Sequence, residues 1–188
     1  MNPKRVRSFI LFFTLFLMPD HFISTELIAT KSDVVRLHLS LTDVDWDGKT
    51  IPKGQQCREY DGNGASPRIT VQNIPFQANM LILEFSDATY KPCDNGGHGV
   101  ISYKIAQGSV EITVPSIPGQ TFDLPNGFTL IKQHCGVNLM MQPGAYIGPC
   151  PGIGNLYYVR VKALYESSDT SEPELLGEGR VDIGTYQY

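Results

Sequence analysis

The stretch Gly144 to Glu166, GAYIGPCPGIGNLYYVRVKALYE, constrains the fold more than any other part of this chain. Its first half carries Gly144, Gly148, Gly152 and Gly154 together with Pro149 and Pro151, so neither a helix nor a ladder strand runs through it. Its second half alternates. Tyr157, Val159, Val161, Ala163 and Tyr165 share one face, with Arg160 and Lys162 on the other. That is the period-2 pattern of a half-buried strand entered from a rigid corner. A corner so rich in glycine can bring bare backbone N–H groups close to a ligand.

The rest of the chain reads the same way. Asp33 to Leu41 alternates, with Val35, Leu37, Leu39 and Leu41 on one side and Arg36, His38 and Ser40 on the wet one. Ile51 to Pro67 is a loop with Asp-Gly and Asn-Gly turn signals. Arg68 to Val71 and Met80 to Phe85 are apolar runs, and MLILEF, apolar on both faces except Glu84, reads as a central strand. Val100 to Ile105, Val110 to Val114, Phe128 to Ile131 and Leu176 to Tyr186 complete the strands, while Glu166 to Glu174 is an acidic surface loop. No window keeps helical periodicity over three turns, so the chain is mainly β.

With 188 residues and 41% hydrophobic content, the chain can bury the core of one domain. A formal charge of −4 offers no basic footprint for nucleic acid. Lys4, Arg5 and Arg7 precede the short apolar run FILFFTLFLM, which is too brief to span a bilayer and fits a secretory leader. Residues 1–29 are therefore expected to be a signal peptide and residues 30–188 a single β domain, without a membrane span in the mature form. An uncleaved anchor is the alternative. Export to the periplasm or the medium makes disulfides the expected state of Cys57, Cys93, Cys135 and Cys150. Spacing leaves all three connectivities open.

Two segments resemble the phosphatidylethanolamine-binding protein family, which includes the Raf-kinase-inhibitor-like proteins and their bacterial relatives. One is GxYxGPCPxxG followed by an aromatic strand ending in ALY; the other is Ile51 to Pro67, IPKGQQCREYDGNGASP, which resembles the family's IPxxYxC…GxNxSP segment with Cys57 in the expected place and a short insertion before Asp61. The resemblance runs in patches from Ile51 to Tyr186, in a shortened member. It implies a large central sheet packed on a smaller one, few short helices, no cofactor and no catalytic residues. It further implies a pocket for small anions such as phosphate or a lipid headgroup, carried onto Asp87, His98, Gly148, Pro149 and Tyr158. Phe85 stands where the family has an Asp, Leu156 where it has a His two residues before the tyrosine, and Gly99 where a Trp follows the His. Those losses predict a drier pocket that binds phosphate poorly. Some relatives inhibit a kinase or protease, so a protein target with a vestigial pocket is the competing expectation. The same likeness puts Cys93 and Cys150 on the pocket rim and favours their pairing.

Other readings of these residues stay in view. His98 is also accounted for as a histidine satisfied by backbone, Asp87 as a loop-capping carboxylate and Cys150 as a buried thiol. A Cys150–His98 nucleophile pair needs a stabilised thiolate, which oxidation removes. Ser102, Asp87 and His98 lack the strained Gly-x-Ser-x-Gly turn, and Asp87, His98 and His134 lack metal-ligand spacing.

Overall fold

The computed structural model describes residues 33–62, 64–150, 152–169 and 172–187; the expected signal peptide lies outside them. The described strands are β1 (Val35–Arg36), β2 (His38–Leu41), β3 (Ile69–Gln72), β4 (Met80–Asp87), β5 (Gly99–Lys104), β6 (Glu111–Val114), β7 (Phe128–Lys132), β8 (Leu156–Tyr165) and β9 (Glu174–Thr185). Helical structure among the described residues is limited to 3₁₀ turns at Arg58–Tyr60, Lys91–Cys93 and Cys135–Leu139. Six strands form a mixed sheet in the order β1-β9-β8-β4-β5-β7, and three form a second sheet, β2-β3-β6.

The alternation explains how the sheets meet. On β4, Leu81, Leu83 and Phe85 turn inward; on β8, Val159, Val161 and Ala163 do the same. They share one core with Ile69 and Val71 of β3 and Val114 of β6. The opposite face of the large sheet is charged. There Glu84 accepts from Lys162 at 2.6 Å and lies 3.6 Å from Arg160, which also reaches Glu178 at 3.1 Å. MLILEF is central as expected, flanked by β5 and β8.

One element differs from the sequence reading. The single strand expected from Asp33 to Leu41 is broken at Leu37. Val35 and Arg36 pair in parallel with Gly177 and Glu178, whereas His38 to Leu41 pair antiparallel with β3. Leu37 drops into the core between the two sheets. Glycine makes the switch possible: a Cβ on Gly179 would stand 2.7 Å from the Leu37 carbonyl oxygen. Alternation within a strand carries no record of which sheet each half joins.

All four cysteines are bridged. Cys57 joins Cys150 with Cα atoms 5.2 Å apart, and Cys93 joins Cys135 at 5.7 Å. The Cys93–Cys150 pairing is therefore not the one formed. Backbone contacts decide this: Cys57 N donates to the Pro149 carbonyl at 2.9 Å, and Cys135 N to that of Gly97 at 2.6 Å. Each contact sets one cysteine beside its partner's loop. Two disulfides fit an oxidising, extracytoplasmic location.

Candidate functional site

The site begins where the core face of β4 runs out. Asp87 follows Phe85 on that face and is the first charged residue along it, yet it is only 2% exposed. Its Oδ1 accepts from Thr89 N at 2.8 Å and Tyr90 N at 3.0 Å, which turns the chain; its Oδ2 accepts from Asn155 Nδ2 at 2.7 Å. Asp87 thus caps the loop and lines the pocket as well. Asn155 stands immediately before β8.

His98 approaches from the start of β5. Its backbone N donates to the Phe85 carbonyl at 2.9 Å, and Ile147 N donates to the His98 carbonyl at 3.1 Å. Its Nδ1 lies 3.0 Å from the Ile147 carbonyl oxygen, an arrangement that makes Nδ1–H the donor and leaves Nε2 without a proton. The ring meets Tyr157 edge-on, with centroids 5.2 Å apart. At Gly99 the glycine corner passes so close that a Cβ would lie 2.3 Å from the Ala145 carbonyl oxygen. A tryptophan has no room there.

Asp87, His98 and Asn155 line a pocket of about 350 Å³. Its remaining wall is apolar or soft: Ile147, Met141, Leu139, Tyr60, Tyr90 and sulfurs of both disulfides. Of the residues expected here, Asp87 and His98 are brought together. Gly148, Pro149 and Tyr158 are not in the lining. Gly148 packs on the 55–64 loop, where a Cβ would lie 2.8 Å from Gly64 Cα, and the Pro149 carbonyl is occupied by Cys57. Tyr158 points through the other face of the sheet, donating to Asp94 Oδ1 at 2.5 Å with the Arg180 guanidinium 3.7 Å above its ring.

Tyr157 is the tyrosine on the pocket side, and its hydroxyl donates to the Cys150 carbonyl. The sequence did signal this. Tyr157 belongs to the face that includes Val159 and Val161, and a shift of one residue on a strand moves a side chain to the other face. The two-residue spacing implied by the resemblance falls on Asn155 and Tyr157, not on Leu156 and Tyr158. Phe85 is not beside the pocket either: it is 1% exposed in the core, with its ring centroid 4.7 Å from that of Tyr146.

Behind the pocket lies a polar network that no sequence pattern announced. Fully buried Gln120 donates to Glu59 Oε1 at 2.5 Å, and Gln142 N donates to the same oxygen at 3.0 Å. His134 Nε2–H reaches the Gln142 carbonyl at 3.2 Å, while its buried Nδ1 has no hydrogen-bond partner among the described residues. His134 does not join Asp87 and His98 in a set of ligand atoms. The grouping that does bring ligand atoms within 4.8 Å, Cys57, Glu59 and Cys150, includes both sulfurs of a disulfide. With Cys150 oxidised, no thiol faces His98.

The solved structures contain a likeness to this arrangement of strands. A crystal structure from Chlamydia trachomatis, of a candidate phosphatidylethanolamine-binding protein homolog, superposes with a TM-score of 0.50 at 19% identity. The match covers 81% of this chain and 98% of that one. The fold is phosphatidylethanolamine-binding-protein-like. No family profile matches the sequence, and no curated protein does. Identity this low carries the fold alone, so the site of this phosphatidylethanolamine-binding-protein-like chain rests on its own residues.

Burial pushes His98 below the ordinary imidazole value of 6.5, against the opposing pull of the Ile147 carbonyl and Asp87. Burial lowers His134 as well, opposed by the Gln142 carbonyl and Glu59. In the unfolded chain both take up a proton near 6.5, before they do so in the fold. The unfolded state then binds more protons, and stability falls as pH drops below 6.5. The slope is at most about 1.4 kcal/mol per pH unit for each histidine. Urea midpoints should fall between pH 7.5 and 5.5. His98→Asn combined with His134→Gln keeps a donor near each carbonyl and should flatten the profile; an unchanged slope contradicts the assignment.

Proposed function

We propose that this chain is an exported, non-catalytic binding protein, periplasmic or secreted, whose loop pocket holds a small ligand. The observation that carries this is the convergence of buried Asp87, buried His98 and Asn155 on a pocket of about 350 Å³ with apolar walls. A few polar groups set into an apolar concavity is the usual composition of a small-molecule site. The disulfides support export, and N-terminal sequencing of the mature protein should begin between Ser24 and Lys31.

A phosphate dianion suits this pocket poorly. Among the described residues no lysine or arginine lines it, and the one formal charge of that lining is the Asp87 carboxylate. One Asn155 amide N–H and the His98 Nδ1–H are already committed within the protein. Desolvating a dianion there costs several kcal/mol that the remaining groups do not return. Calorimetry with phosphate and with phosphoethanolamine should show no binding up to millimolar concentration. Tight binding of either overturns this reading of the pocket.

A protein target, such as a kinase or protease, is the second reading. It is favoured by exposed apolar side chains on loops at or next to the pocket mouth, among them Leu139 at 49%, Met140 at 97% and Ile153 at 78%. Inhibition of a kinase or protease panel that is lost in Leu139→Asp with Ile153→Asp would select it.

A further inference from the structure

We propose that the pocket takes an organic cation: a protonated amine carried on an apolar or aromatic body. The inference rests on the pocket reading above and names its ligand class.

Apart from the Tyr60 and Tyr90 hydroxyls, which donate or accept, Asp87, His98 and Asn155 each keep an acceptor position. A carboxylate offers about four lone-pair positions. Asp87 has filled three, with Thr89 N, Tyr90 N and Asn155 Nδ2, so one is left. His98 donates through Nδ1 to the Ile147 carbonyl, which leaves Nε2 as a lone pair. The Asn155 amide puts its nitrogen on Asp87, and its other polar atom, Oδ1, is again an acceptor. An ammonium group carries three donors and no acceptor. It complements this set, whereas an anion meets a carboxylate and two lone pairs.

Charge points the same way. Arg58 and Lys91 flank the lining residues Tyr60 and Tyr90 in sequence, but both are exposed and neither lines the pocket. Among the described residues Asp87 therefore stands without a cationic side chain in the lining, 2% exposed. A ligand cation beside it gains a charge-assisted hydrogen bond away from bulk water. The walls suit the rest of such a ligand. Tyr60 and Tyr90 offer ring faces to a cation, and Met141 with the Cys93–Cys135 disulfide offers polarisable sulfur to an apolar body.

The test uses three probes of one shape and different charge on the full mature protein: 2-phenylethylamine, 2-phenylethanol and phenylacetate. Each is titrated by calorimetry at pH 8 and the same salt concentration. The amine should bind at least tenfold more tightly than the alcohol, and phenylacetate more weakly than both. Asp87→Asn should bring the amine down to the level of the alcohol while the alcohol changes less than threefold. If that variant does not fold, the wild-type ranking decides, with movement of the His98 ring signals on amine binding locating the site. An alcohol or acid that binds as tightly as the amine overturns the cation proposal and leaves the pocket standing. Failure of all three probes to bind overturns the pocket reading with it.

Discussion

Replacing Cys57 and Cys150 together by alanine should lower stability by about 4–5 kcal/mol, the largest loss from any single bridge. The bridge spans 93 residues, against 42 for Cys93–Cys135. In the chain-entropy account a longer closed loop costs the unfolded state more freedom, and the shorter bridge is worth about 4 kcal/mol. Small domains hold only about 5–15 kcal/mol in total. Removing both bridges should therefore leave little folded protein at 37 °C. Urea denaturation of the two double variants under oxidising conditions checks the order, and peptide mapping without reductant checks the pairing. Wild-type stability in the Cys57/Cys150 variant, or a Cys93–Cys150 peptide, contradicts it.

Phe85→Asp should unfold the protein or cost more than about 4 kcal/mol, a size reserved for events such as burying an unpaired charge. Compared with the family pattern, an aspartate here looks like the restoration of an anion site, and Leu156→His like its completion. The packing says otherwise. Phe85 is 1% exposed on the core face of the central strand, against Tyr146, itself fully buried with a hydroxyl that has no hydrogen-bond partner among the described residues. The one unpaired donor beside it, the Tyr146 hydroxyl, does not offset the burial of a full charge. Leu156 lies on the face opposite Tyr157, so a histidine at that position stays outside the pocket. Phe85→Leu, which preserves apolar character and most of the volume, should cost about 1.5 kcal/mol or less. Thermal melts of the two variants separate the cases: a stable, folded Phe85→Asp protein would mean that the position faces the pocket after all.

The strands were legible in the sequence because alternation is local. MLILEF and LYYVRVKALY announce a central strand and a half-buried one from neighbours two residues apart, and no distant contact is needed to set that pattern. Gly and Pro marked the corner for the same reason. Asp87 and His98 were singled out only through the family resemblance, and the acidic balance with no basic footprint was plain from composition. Tertiary structure alone decided the rest. Which cysteines pair depends on Cys57 meeting Pro149 and Cys135 meeting Gly97, contacts across 92 and 38 positions of chain. The switch of sheets at Leu37 depends on two glycines more than a hundred residues away. The choice between Tyr157 and Tyr158 depends on which face of β8 meets the core, and the Gln120–Glu59 network depends on three loops converging. Local periodicity specifies what each segment is; only long-range packing specifies what it faces.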